Sequence, residues 1–400
     1  MSSRKILIYY EQLGYGGVDT HLANLINYWP NNEDEFIIAS NPDNEGLSFL
    51  KQQLTNSSVT IHTLDGVFQR AAKESSKLKR ASANLNTFIR FMRTFRTLLK
   101  EVSPDILLSN NGGYPGGITN WLAAIIGKLH KSTKISTFLL VHHSPTSKVG
   151  GPIAVLTSLL IWWIQFLDIP SITVSQASKN MLEIYTPLRN LHVINNGLGL
   201  KEYLTDPYDF KTKWNIKQDK ILIGIIGPVD PHKGHLTMLE VFHHSSALQE
   251  KAHLIVVGSG KDTLLAELKH MVFSLGLENV ITFTGFLPGD SHKIISGFDI
   301  LVMPTIDFEG FGYSMAEAMS LGIPVVASRI GAIPEVIVDK ESGFLVEPKD
   351  ISVWQENLEK LINSADLRKK IGMSGRQRIQ NGFSAHSMGQ QYFNFLRSLQ

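Results

Sequence analysis

Two carboxylates, Glu309 and Glu317, flank Gly310-Phe311-Gly312 within the run Pro304-Thr-Ile-Asp-Phe-Glu309-Gly-Phe-Gly312-Tyr-Ser-Met-Ala-Glu317. Carboxylates accept hydrogen bonds from hydroxyls and repel phosphate, whereas backbone N–H groups at a glycine loop attract an anion. A site with both features suits a ligand carrying both hydroxyls and phosphate, such as a nucleotide sugar. The residues themselves also allow a purely local reading. Ser314-Met-Ala-Glu317 fits a capping box, which would spend Glu317 on starting a helix. A third polar candidate is His142-His143, following the apolar run Ser136-Thr-Phe-Leu-Leu-Val141. An imidazole at the carboxyl end of a parallel strand is placed to hydrogen-bond a hydroxyl or a phosphate.

These residues need particular elements to hold them. Asp299-Ile-Leu-Val-Met303 reads as a buried parallel strand, and Tyr313 to Leu321 reads as a helix ended by Gly322 and Pro324. Strand, glycine loop and helix N-terminus in that order form the junction at which open α/β sheets bind ligands. Upstream, Lys5 to Tyr10 is a strand followed by Gly14-Tyr-Gly16-Gly17 and a helix from about Thr20 to Tyr28. This first turn is a poor dinucleotide fingerprint, because the third glycine is missing and the second strand, Phe36 to Ala39, does not end on a ribose-binding acid. Further strands are expected at Val59–Leu64, Ile106–Ser109, Lys134–Val141, Ser171–Val174 and His192–Asn195. Residues 198–219 are mixed and polar, the best linker candidate. A second βα series begins at Lys220 and continues through His253–Gly258, Val280–Phe283, Ile300–Met303, Pro324–Ala327 and Phe344–Val346.

Composition removes several function classes. With 400 residues, two domains are the expectation, and zero cysteines exclude disulfides and thiolate metal sites. Neither an Asp-x-Asp pair nor H-E-x-x-H is present, so no metal site is expected. Met1-Ser-Ser-Arg-Lys5 leads straight into a strand without an apolar h-region, so no secretory signal and a cytoplasmic location are expected. Residues 1–200 carry 18 Lys and Arg against 13 Asp and Glu, while 201–400 carry 20 against 23. Nothing in this balance calls for a nucleic-acid partner.

Two stretches of the first half bear on surfaces. Between Lys77 and Lys100, apolar residues at helical spacing run beside Lys77, Lys79, Arg80, Arg90, Arg93, Arg96 and Lys100, with no acid among them. Such a face is either simply solvated or a peripheral contact for anionic membrane at the inner face. Pro152 to Leu167 is almost wholly apolar with Trp162-Trp163 near its end, yet too short to cross a bilayer as a helix. A buried core helix is expected there, with an interfacial or acceptor-facing surface as the alternative.

Pro304, Glu309, Gly310-Phe311-Gly312, Glu317, Gly322-Ile-Pro324-Val-Val-Ala-Ser328, Gly331, Glu335 and Gly343-Phe-Leu-Val346 together resemble the donor-binding signature of the family-four retaining glycosyltransferases. The resemblance implies a GT-B fold: α/β, with two Rossmann-like βαβ domains facing across a deep cleft. It implies an acceptor-side domain over 1–200, a donor domain over 201–380, and a helix over 381–400 returning to the first domain. By the same resemblance Glu317 binds ribose hydroxyls and Glu309 sugar hydroxyls. Gly16-Gly17 lies over the donor's phosphates and sugar, while Gly258 and Gly285-Phe286 bracket the base. A histidine at the strand end, His142 or His143, contacts the transferred sugar. Gly227-Pro228-Val-Asp-Pro-His-Lys233-Gly234 resembles the family's phosphate turn with Lys233 in place, but Pro228 stands where the family has Arg.

The implied activity is metal-independent transfer, with retention, from a UDP- or GDP-sugar to a glycan or lipid-linked acceptor in cell-surface polysaccharide or glycolipid synthesis. The nucleotide sugar is a co-substrate and no cofactor is expected. Two rival readings are a non-catalytic nucleotide-sugar-binding protein, suggested by Pro228, and an epimerase or phosphorylase on the same scaffold.

Overall fold

Apolar runs of three to six residues alternating with helical segments build two all-parallel sheets, the arrangement in which strands are buried on both faces. The computed structural model describes residues 3–12, 16–55, 58–64, 77–113, 117–130, 135–142, 151–200 and 206–398, with the backbone alone for 77–85 and 151–154. The chain divides into two compact units, Met1–Gly197 with Ala385–Gln400, and Leu198–Ser384.

The first unit holds β1 (Lys5–Tyr9), β2 (Glu35–Ser40), β3 (Val59–Thr63), β4 (Ile106–Asn111), β5 (Ser136–Val141), β6 (Ser171–Thr173) and β7 (Leu191–Val193), in the order β3-β2-β1-β4-β5-β6-β7. Side chains of β1 alternate between two cores. Leu7 and Tyr9 join Phe91, Phe95, Trp121, Leu160 and Ile164 on one face. Ile6 and Ile8 join Leu22, Leu25, Trp29 and Leu108 on the other. The C-terminal helix Ala385–Ser398 belongs to this second layer. Its Met388, Tyr392 and Leu396, at i, i+4, i+8, bury one stripe there. Arg397 fastens its last turn, stacked over Phe393 at 4.1 Å and paired with buried Asp34 at 3.5 Å.

The second unit holds β8 (Ile221–Ile226), β9 (Ala252–Val257), β10 (Ile281–Gly285), β11 (Ile300–Met303), β12 (Val325–Ser328) and β13 (Phe344–Val346), in the order β10-β9-β8-β11-β12-β13. In each sheet the strand order reverses once, between β1 and β4 and between β8 and β11. The loops leaving those strands diverge to opposite faces and open a crevice at the carboxyl edge.

Two expectations are corrected here. Most of the stretch expected as a linker is packed structure. Asp209 caps a short helix, Phe210–Lys213, while Phe210 and Ile216 are buried in the second unit and Phe210 stacks on Phe298 at 5.0 Å. Its polar composition hid two anchors that suffice to fix it. The apolar stretch 152–167 does form a helix, Gly151–Phe166, but among its described side chains only Thr157, Leu160, Ile161 and Ile164 are buried, so from residue 155 on it is core on one face alone. Among the described residues no helix is long and apolar enough to cross a membrane.

Candidate active site in two sheet crevices

In the second unit the crevice between β8 and β11 brings Lys233 and Glu309 together. Lys233 Nζ donates to Glu309 Oε2 at 2.7 Å, with Glu309 half-buried and Lys233 about one-third exposed. Their backbones are tied before their side chains meet. After β8, Asp230 accepts from His232 N–H and starts a single 3-10 turn, Pro231–Lys233, which ends on Gly234 in the left-handed region at φ 70°. A Cβ on Gly234 would overlap the Pro304 carbonyl oxygen, so this turn lies directly against the chain leaving β11. Ile306 N–H then donates to His232 O at 2.8 Å. On the far side, Ala332 N–H donates to Glu309 O at 2.9 Å, and a Cβ on Gly331 would strike that same oxygen. The acid's main chain is thus clamped between the 231–234 turn and the chain following β12.

His232 is an exposed neighbour of this pair, with Nδ1 3.3 Å from Asp307 and Nε2 3.9 Å from Asp230. Pro228 is also exposed and contributes no charge. Gly258 N–H donates to Gly285 O at 2.9 Å, which joins the loops after β9 and β10, and Phe286 stands 54% exposed beside them.

The capping-box reading fails on geometry. Helix Tyr313–Ser320 begins one residue after Gly312, which is left-handed at φ 84° and whose carbonyl accepts the first helical bond from Ala316 at 3.0 Å. Ser314 is therefore inside the helix and cannot be its N-cap. Glu317 lies buried in the second turn, at 6% exposure. Phe311 turns its ring into the core, against Tyr313 and Phe383, so that only its backbone is available to a ligand. Gly310 is buried between Glu309 and this ring.

In the first unit the corresponding crevice gathers two histidines and several asparagines beside a buried carboxylate, Asp19. Gly16 is the extended N-cap of helix Gly17–Asn27, and its N–H donates to Asp19 at 2.9 Å, closing the glycine turn. Asp19 also accepts from Tyr10 and Gln12, and burial pushes it up to about 6. His142, at the end of β5, is buried and donates from Nε2 to Asn110 Oδ1 at 2.7 Å. His21 is fully buried, donates from Nδ1 to Asn196 Oδ1 at 2.8 Å, and packs edge-on against His142 at 4.6 Å. Because an amide oxygen only accepts, each histidine carries its proton on the nitrogen facing the Asn. Burial holds His21 down at about 4, and burial followed by His21 holds His142 well below the histidine range. Both are neutral near pH 7. Among the described residues, His21 Nε2 and the Nδ2 atoms of Asn110, Asn111 and Asn120 are buried without a hydrogen-bond partner. Such orphans ask for an explanation, and polar groups of a ligand supply one. His143 lies outside the described residues.

The sequence reading missed His21, Asn110, Asn111, Asn120 and Asn196. The available signal was the polar end of an otherwise apolar strand, Ser109-Asn110-Asn111, and the histidine one turn beyond Gly16-Gly17.

Comparison with known proteins bears on the fold and on the second unit's family likeness. Residues 208–378 match the family described as Glycosyl transferases group 1. The capsular polysaccharide biosynthesis glycosyltransferase CapM of Staphylococcus aureus is 28% identical over 192 residues, covering 48% of this chain and 50% of that protein. The chain therefore spans about half the length of this curated relative. Among solved structures, a glycosyltransferase from Rickettsia africae superposes with a TM-score of 0.78 at 17% identity, covering 100% of this chain and 99% of its own. HepE of Anabaena, in complex with UDP and glucose, superposes with a TM-score of 0.76 at 18% identity, covering 99% and 100%. At such identities the likeness establishes the fold, an α/β GT-B architecture of two Rossmann-like units. Residues 208–378, a little under half of the chain, are thus similar to the glycosyl transferases of group 1.

Proposed function

We propose that the protein transfers a sugar, with retention at the anomeric carbon, from a nucleoside-diphosphate sugar to a glycan or lipid-linked acceptor. The bond between the anomeric carbon and the β-phosphate oxygen breaks, and one from that carbon to an acceptor oxygen forms. The acceptor proton passes to the departing diphosphate. Negative charge grows on the β-phosphate as the bond breaks, so a cation fixed beside it acts most strongly in the transition state. The observation that carries this reading is Lys233 held 2.7 Å from Glu309 at the β8/β11 crevice. Lys233 meets the diphosphate, with N–H groups around Phe311 and Gly312 beside it. Glu309 takes sugar hydroxyls and Glu317 ribose hydroxyls, while Gly258, Gly285 and Phe286 frame the base.

The neutral cluster of the first unit suits uncharged hydroxyls. His142 contacts the transferred sugar, and Gly16 and Gly17 cover the donor. The UDP and glucose bound by HepE, and the capsular role in CapM's name, favour this class of donor and acceptor. A donor panel scored by thermal shift tests it, because a ligand at 100 times its Kd stabilises by about 2.7 kcal/mol. Proton NMR of the product then reads the anomeric configuration. An inverted product, or no stabilisation by any nucleoside-diphosphate sugar, contradicts the proposal.

One observation favours a second reading. Pro228 leaves the phosphate turn without the family's second cation, which suits a protein that binds nucleotide sugars without turning them over. Activity that appears only in Pro228→Arg would establish that reading.

A further inference from the structure

We infer that the first unit docks on an anionic lipid bilayer through two neighbouring helices, Gly151–Phe166 supplying apolar anchors and Lys77–Val102 supplying cations. A helix packed on a core by one stripe normally presents polar residues outward. Helix Gly151–Phe166 buries Thr157, Leu160, Ile161 and Ile164, yet its outer face carries Val155, Leu156, Leu159, Trp162, Trp163 and Phe166, all 37% exposed or more. The ring of Trp162 stacks on Phe166 at 5.3 Å, with Trp163 edge-on to both, forming one aromatic platform. No charged residue occurs from 151 to 166. A contiguous apolar surface of this kind marks an interaction site.

What covers it follows from the charges nearby. Helix Ile118–Lys128 packs against both Gly151–Phe166 and Lys77–Val102, and all three contribute to one core cluster. With interaxial distances of about 8–10 Å per contact, the outer helices lie within roughly 20 Å of each other. The first leads into β4 and the last into β6, so both C-terminal ends lie at the amino edge of the sheet. Along Lys77–Val102, Arg90, Arg93, Arg96 and Lys100 are exposed, with Glu101 the one acid within the helix and Asp105 exposed just beyond its end. Tryptophan with arginine and lysine is the pairing that seats at a headgroup boundary, rings among the upper acyl chains and cations on the phosphates. A second copy of the chain fits less well. A two-fold interface sets the same patch against itself and would bring the cation stripes together.

Flotation with vesicles of phosphatidylcholine alone, and of phosphatidylcholine with phosphatidylglycerol in equal parts, tests the inference on the full chain. The parent is expected to float with the anionic vesicles and to stay behind with the neutral ones. Each cation near an anionic surface is worth on the order of fivefold in affinity, so joint replacement by Arg90→Gln, Arg93→Gln and Arg96→Gln should weaken binding about 100-fold. Trp162→Ser with Trp163→Ser and Phe166→Ser should abolish flotation without reducing nucleoside-diphosphate binding. If the serine variant fails to fold, the glutamine variant decides alone. Equal flotation with both vesicle types, flotation indifferent to the cations, or a dimer that the serine variant dissociates while vesicles go unbound would each overturn it.

Discussion

The two crevices occupy equivalent places in their sheets and solve opposite electrostatic problems. In the second unit, an ammonium and a carboxylate stand 2.7 Å apart, both reachable by solvent. In the first, two histidines and several asparagines are buried and neutral, and burial has moved the histidines out of the range in which they charge near pH 7. A charged ligand group needs fixed charge and dipoles around it, whereas hydroxyls are held by neutral donors and acceptors whose desolvation costs less. On the proposed function, the charged crevice of the second unit suits a phosphate and the uncharged donors of the first suit hydroxyls.

The comparison breaks most sharply at Lys233. Lys233→Ala is expected to lower transfer about 100- to 1,000-fold, since that is the usual effect of losing one donor aimed at developing charge. The pair is partly exposed, so stability should fall by only about 1 kcal/mol or less. Initial rates and urea midpoints on parent and variant separate the two effects. A folded variant with parental turnover removes Lys233 from the chemistry.

The neutral crevice is probed next by pH. Unfolded histidine binds a proton near 6.5, while His21 in the folded protein does so only near 4. Between those values the unfolded state holds more protons, so this contribution is complete above about pH 6.5 and is lost as pH falls towards 4. Asp19 works against it: its folded-state value of about 6, against 3.8, makes stability decline as pH rises between them. Asp19→Asn should therefore steepen the acid loss, by a difference of order 3 kcal/mol across pH 4 to 6. Amide hydrogen exchange on peptides of the first unit provides the readout. An unchanged slope would mean that Asp19 is not held protonated by burial.

A smaller effect distinguishes the two carboxylates. Glu317→Ala should weaken nucleoside-diphosphate binding about 10- to 100-fold, the loss of a hydrogen bond to a charged group, while Glu309→Ala should spare that binding and reduce transfer. If Glu317→Ala lowers only the melting temperature, the carboxylate is structural, though not through a capping box on Ser314.

Much of this architecture was legible because buried parallel strands read as apolar runs, and because the glycines around Glu309 and Lys233 punctuate the loops. Other features left no such trace. The capping box failed because Gly312, able to take φ 84°, became the N-cap in place of Ser314. His21 and Asn110 are single polar residues within apolar elements, and periodicity does not register them. Helix Gly151–Phe166 is apolar all round, so its sequence could not say which face is covered. The packing of Phe210 and Ile216 shows the same limit, since two anchors in a polar segment fix a stretch whose average composition reads as linker.

Calorimetric titration of UDP and GDP into the parent, Lys233→Ala and Glu317→Ala, at low and high salt, tests the assignment of the charged crevice most directly. At least one of the two nucleotides should bind the parent, more weakly at high salt. The matching nucleoside without phosphates should bind far more weakly, and the Glu317→Ala protein should lose at least tenfold in affinity. Binding of neither nucleotide, or binding indifferent to salt and to both substitutions, would contradict the placement of the diphosphate between Lys233 and the helix that begins at Gly312.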